Sequence, residues 1–246
     1  SGLGNEYYAA FANYTASPLN LLVVFFPYKT IPVFIALVTA IRAGLASLCM
    51  TLLLSSEDRK RYDYVTVVFG VIYALNGWFL TEFWNIMWCD AYVLLPVIIL
   101  GLRKLFLERK YLLYILSLAV AIISNYYTGW FICLFLVFFA VVYYFILYSP
   151  SEDKTDKKRL YIGSFMRCAG RFTLGSISSG LMSACIVLPT YMILQHSSAT
   201  GSDFPRQFTL TGDLFDFLAR LMVTASPSIR DGMANIGCGV LVVILV

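Results

Sequence analysis

Charge is scarce in this sequence. Asp, Glu, Lys and Arg make up 13% of its 246 residues, against 60% hydrophobic. An ordinary soluble domain carries about 25% charged residues, so a surface facing water all round is excluded. Histidine occurs once, at His196, and the six cysteines contain no CxxC pair, which leaves no zinc-site spacing. Cys89 and Cys238 are the two cysteines placed to meet at one membrane face; lone buried thiols behaving as small hydrophobes are the commoner arrangement. No phosphate-cradling glycine loop, nucleophile elbow or dinucleotide fingerprint occurs, so no soluble nucleotide cofactor is indicated. The chain also opens without Met or a signal-peptide pattern and stops at "GVLVVILV", inside an apolar run too short to cross a bilayer. It reads as a fragment of a longer protein.

Long apolar runs are abundant. A membrane-spanning helix needs about 20 apolar residues, and the runs predict spans at 30–54, 64–80, 90–107, 111–124, 130–148 and 170–194, with a seventh beginning at 236–246. The expected fold is all-α: one polytopic transmembrane helix bundle over 1–246. "SPLNLLVVFFP" (17–27) is too short to cross and suits a re-entrant or interfacial element within an outer segment 1–29. The connecting loops alternate in charge. Thirteen cations lie on one side, in "SSEDRKRYD", in "LRKLFLERK" and in 149–171; Lys29, Arg206, Arg220 and Arg230 lie on the other. The positive-inside rule assigns the first set to the cytoplasm. Residues 1–29, the hairpins 81–90 and 125–129 and the loop 195–235 are then outside. The net charge of +4 is a topology signal, and no nucleic-acid partner is implied. Within the outer loop, 210–222 has the apolar periodicity of an amphipathic helix, lying on the outer leaflet or packed on the bundle.

The few polar residues in apolar surroundings are the candidates for chemistry. Arg42 stands near the middle of the first span, where a cation is costly. It either neutralises a lipid phosphate, pairs with an acid such as Asp90, or snorkels from a tilted helix. Glu82 and Asp90 bracket an outer hairpin that contains no cation. Such acids serve as a general base, a metal ligand set or a cation path, or are simply hydrated at the interface. Trp78, Trp84 and Trp88 lie near this hairpin and Trp130 at the next one. An interfacial belt explains each singly, but all four fall on the outer side. Aromatic faces beside Asn85 and Asn125 also suit a sugar ring. Gly175, Ser179 and Ser183 at four-residue spacing allow close helix packing. Pro96 and Pro189 are expected to kink their helices. "NYT" (13–15) matches a glycosylation acceptor, relevant only in a secretory eukaryotic setting.

The strings "GLGNEYYAAFANYTASPLNLLVVFFP", "VIYALNGWF", "NIMWCDAYVLLPVIILGL", "YILSLAVAIISNYYTGWFICLF" and "GMANIGCGVL" resemble the bacterial YfhO membrane proteins. The resemblance is weakest at 149–170 and 197–235. It implies a glycosyltransferase of the polytopic GT-C type in the bacterial cytoplasmic membrane. The donor would be a polyprenyl-phosphate-linked sugar, and the acceptor a cell-envelope polymer such as lipoteichoic acid on the outer face. Asn85, Trp88 and Asp90 match its "NIMW-D" string, Asn125 and Tyr126 its "SN-Y" string, and Asn20 its "SPLNLL" string. The resemblance also places the usual GT-C catalytic Asp upstream of Ser1. Within the chain, Asp90 and Glu82 are the candidate catalytic acids, Asp90 as a second acid that orients the acceptor or holds a divalent metal. Asn85, Trp88, Asn125, Tyr126, Asn20 and Arg42 are candidate substrate contacts. A transporter or flippase for lipid-linked sugar or a cation, and a scaffold without chemistry, are the rival classes.

Overall fold

The computed structural model describes residues 7–57, 64–147 and 157–195, together with Phe215 and Ala219. The described residues form helices throughout: α1 (Tyr7–Ala10), α2 (Ile31–Glu57), α3 (Tyr64–Ala74), α4 (Gly77–Glu82), α5 (Ile86–Leu107), α6 (Leu112–Ser124), α7 (Tyr126–Leu147) and α8 (Lys157–Gln195). A π turn at Phe11–Thr15 and a 3-10 turn at Asn20–Phe25 join α1 to the bundle. Among the described residues, five segments are long and apolar enough to cross a membrane: Tyr28–Ser56, Tyr64–Glu82, Ile86–Leu107, Tyr126–Leu147 and Ser164–Gln195. This is the polytopic all-α bundle that the apolar runs predict. The start of a seventh span and the amphipathic stretch 210–222 lie outside the described residues, apart from helical, exposed Phe215 and Ala219.

Two spans differ from expectation. The run 64–80 is a broken helix, because Leu75 and Asn76 interrupt α3 and α4. Asn76 restarts the chain as N-cap, its side-chain oxygen accepting from Phe79 N at 2.9 Å. The run 111–124 gives only 13 helical residues in α6, a length of about 20 Å against a hydrocarbon core of about 30 Å. It is not extended at either end. Arg109, at φ 58, turns the chain before it, and Asn125 stops it in extended backbone.

α6 is short but central. Tyr114, Leu118, Ala119 and Ala121 are each at most 1% exposed. Of these, Tyr114, Leu118 and Ala121 join Ile98, Leu102 and Leu105 of α5, Leu136 and Tyr144 of α7 and Cys168 of α8 in one core. A second cluster, Ala46, Ala74 and Val93, joins α2 and α3 to α5. Close approach needs small residues, as expected where lipid gives no hydrophobic drive. A Cβ on Gly101 would lie 2.7 Å from Tyr114 Cα, and one on Gly129 2.8 Å from Ile122 Cα. The Gly175–Ser179–Ser183 face packs on α6 as its spacing suggests: Ser179 Oγ donates to Ile115 O at 3.0 Å. The outward faces are apolar, including Phe131, Phe138 and Phe145 of α7 and Leu174, Leu181 and Leu188 of α8. Such faces suit hydrocarbon. At the cation-rich end, Arg103 donates to Ser56 Oγ at 2.8 Å. There Lys110 hydrogen-bonds exposed Glu108 at 2.7 Å and holds its carboxyl below the usual range.

Candidate functional site

The site begins with a cation that the sequence buries. Arg42 lies in the middle of α2 and is 0% exposed. A guanidinium there needs partners that lipid does not supply. Asp90 gives both of its oxygens: Arg42 Nε donates to Oδ1 at 3.1 Å and Nη2 to Oδ2 at 2.8 Å. Nη2 also donates to Asn20 Oδ1 at 3.0 Å and Ser17 Oγ at 3.2 Å. The segment "SPLN" is thereby anchored inside the bundle, with Ser17 buried and Asn20 N bonded to Ser17 O at 3.0 Å. Of the three options for Arg42, this is pairing with Asp90. Its Nη1 is buried with no hydrogen-bond partner.

Asp90 departs from its expected place. The sequence puts it in the outer hairpin 81–90, without a cation. The helix in fact begins at Ile86, so Asp90 sits more than one turn inside α5, 5% exposed and paired. The hairpin is correspondingly tight: Asn85 N bonds Glu82 O at 2.8 Å, and Asn85 Nδ2 bonds Glu82 Oε2 at 2.6 Å. Between Glu82 and Asp90 in sequence, the Cys89 thiol lies 3.6 Å from Asn85 O. Cys89 is a free, buried thiol. Arg42, Asp90, Asn20 and Ser17 thus form one hydrogen-bonded cluster, and Glu82 and Asn85 form a second at the start of the helix that carries Asp90 and Cys89.

The remaining candidates are Asn125, Trp88 and Tyr126. Asn125 is 0% exposed and structural in its bonding. Its Oδ1 accepts from Thr128 N at 2.8 Å, and its Nδ2 donates to Asn13 O at 2.7 Å and Asn13 Oδ1 at 3.1 Å. Trp88 lines an apolar groove of about 320 Å³ with Trp78, Tyr92, Tyr127 and Phe131. Tyr126 lines a second groove of about 370 Å³ with Trp130 and Gly180. Neither lining includes Asn85 or Asn125. Trp84 and Trp130 are largely exposed, as an interfacial belt requires.

Two residues of the cluster escape the sequence reading. Ser17 is an ordinary Ser-Pro in a loop, and only the neighbouring Asn20 drew attention. Cys89 reads as a small hydrophobe, although its place directly before Asp90 is a signal. A divalent metal does not fit the described residues. Both Asp90 oxygens are taken by Arg42, and no three His, Cys, Asp or Glu side chains among the described residues gather around a common point.

The curated proteins and the solved structures give no match to the chain. A family model does: that of the bacterial membrane protein YfhO, over residues 1–246. The multi-pass bundle fits that description, and the chain belongs to the YfhO family of bacterial membrane proteins.

Proposed function

We propose that this chain belongs to a membrane glycosyltransferase. It would move a sugar from a polyprenyl-phosphate donor to a cell-envelope polymer, such as lipoteichoic acid, on the outer face of the membrane. The observation that supports this is the fully buried Arg42, held by Asp90, Asn20 and Ser17 with one nitrogen left over. A leaving lipid phosphate is an anion in a place without water. A fixed guanidinium nitrogen is a suitable counterpart, and Arg presents its donors in a rigid fork.

The residues divide the work by geometry. Asp90 has both oxygens committed to Arg42, so it serves by holding the cation rather than by accepting a proton. Glu82 accepts from the Asn85 amide at 2.6 Å and is the second candidate acid of this chain, the one we assign as base. In the inverting reaction a carboxylate takes the proton of the acceptor hydroxyl. The oxygen then attacks the anomeric carbon as the bond to the lipid phosphate breaks, and the phosphate leaves with the electron pair. Asn20 and Asn85 orient these groups.

The second reading, a transporter or flippase for lipid-linked sugar or a cation, is favoured by the broken helix at Leu75–Asn76. Discontinuous spans are common at transporter sites. Membrane vesicles carrying the full-length protein and labelled lipid-linked sugar separate the two. Label appearing on polymer, lost in Arg42→Gln and Glu82→Gln, supports transfer. Label crossing the membrane while still on its lipid overturns it. Full transfer by Arg42→Gln removes the guanidinium from the chemistry.

A further inference from the structure

Two helices of the bundle have gaps in their backbone ladders, and the gaps face each other. Pro96 has no N–H, so the carbonyl four residues earlier, Tyr92 O, lacks its helical donor. Tyr73 Oη donates to it at 2.8 Å. In α3 the carbonyl of Tyr73 would take the N–H of Gly77, but Gly77 opens α4. Tyr73 O keeps a long 3.3 Å bond from Asn76 N, and Tyr92 Oη donates to it as well. Each tyrosine thus fills the gap in the other's helix. The two rings stack, with centroids 4.5 Å apart and planes at 7°.

This crossed pair also carries α4. Trp78 and Phe79 rest on the Tyr92 ring, with centroids at 5.2 and 5.8 Å. Phe79 is 4% exposed, so α4 is seated there. Glu82 lies one turn beyond Phe79, and Asp90 lies two residues before Tyr92 on α5. The same solution occurs once more among the described residues. Tyr8 Oη donates at 2.7 Å to Cys185 O, the carbonyl freed by Pro189. Aromatic packing alone explains stacked rings; it does not explain hydroxyls that land on the carbonyls lacking their i+4 helical donors. Where water is absent such groups must be satisfied within the protein.

We infer that Tyr73 and Tyr92 are positioning residues. Their crossed hydroxyl bonds lock the break in the second span to the proline gap in the third, and so fix Glu82 relative to the Arg42–Asp90 pair. The statement about Glu82 rests on the function proposed for that site; the lock does not.

The test uses the full-length protein purified in detergent. Tyr73→Phe keeps the ring and is expected to lower Tm by several degrees. In a Pro96→Ala background, residue 96 regains an N–H for Tyr92 O, and most of that loss should vanish. Equal losses in both backgrounds overturn the lock. Tyr92→Phe is read by hydrogen exchange: the amides of Gly77–Glu82 should exchange about tenfold faster, with those of α7 unchanged. A uniform rise, or none at α4, overturns it. Sugar transfer by Tyr92→Phe should fall in kcat with KM little changed, and full kcat overturns the positioning of Glu82. If the wild-type protein transfers no sugar, the Tm and exchange results still decide the lock, so the two readings fail separately.

Discussion

Arg42 and Asp90 meet as a bidentate ion pair inside the bundle, with contacts of 3.1 and 2.8 Å and side-chain exposures of 0% and 7%. The pair ties α2 to α5, and through Asn20 and Ser17 it also holds the chain that enters α2. Such a pair is weak evidence for stability, since desolvation offsets its Coulomb gain. Breaking it is another matter. Asp90→Ala strands the guanidinium and is expected to cost about 3–5 kcal/mol. Replacing both partners, Arg42→Met with Asp90→Leu, is expected to recover most of that loss. Thermal unfolding of the three proteins in detergent checks this; a double variant as unstable as the single one would show that the stranded guanidinium is not the source of the loss.

The α5–α6 contact makes a steric prediction. A Cβ on Gly101 meets the Tyr114 backbone at 2.7 Å, whereas one on Gly44 meets nothing within 4 Å. Backbone cannot swing away as a side chain can. Gly101→Ala is therefore expected to destabilise by about 1–3 kcal/mol, and Gly44→Ala to stay within about 0.5 kcal/mol of the parent. Equal melting temperatures for the two variants would contradict the close approach.

Much of the architecture is legible in the sequence because bilayer physics is one-dimensional. An apolar run of sufficient length declares a span, so 30–54, 130–148 and 170–194 fall inside α2, α7 and α8 or within a residue or so of their ends. The breaks are less legible. "VIYALNGWF" is apolar enough to read through, and only Asn76, able to cap, marks the interruption. Site residues are legible as oddities: Arg42 and Asp90 stand out because lipid tolerates neither alone. Their pairing is not, because 48 residues separate them and the register of two helices decides whether they meet. The proline–tyrosine contacts are harder still. Pro96 and Pro189 announce freed carbonyls, but nothing local says which of 17 tyrosines will reach them.

Asn125 allows its two functions to be separated. Its oxygen caps α7, and its amide nitrogen holds Asn13. Asn125→Asp keeps the cap acceptor but replaces the donor with an oxygen that faces Asn13 O and Oδ1. The segment Phe11–Thr15 is expected to loosen, with faster hydrogen exchange there, while the first turn of α7 stays protected. Asn125→Ala loses both and should cost about 1 kcal/mol more, the usual worth of an N-cap. Unchanged exchange at Phe11–Thr15 in Asn125→Asp would mean that the tie to Asn13 carries no weight.

The charge asymmetry makes a prediction about orientation. Arg103, Lys104, Arg109 and Lys110 cluster where α5 ends and α6 begins. Glu82, Asn85 and Tyr127 lie at the opposite ends of the helices. The cation-rich end is expected in the cytoplasm, since the bias in short loops sets orientation. Both Lys110 and Tyr127 are exposed, which makes them usable as probes. In a full-length protein with its native cysteines removed, Tyr127→Cys should react with a membrane-impermeant maleimide on intact bacterial cells. Lys110→Cys should react only after the membrane is opened. The reverse pattern would invert the topology, put the Arg42–Asp90 cluster nearer the cytoplasmic face, and remove the outer-face polymer as acceptor.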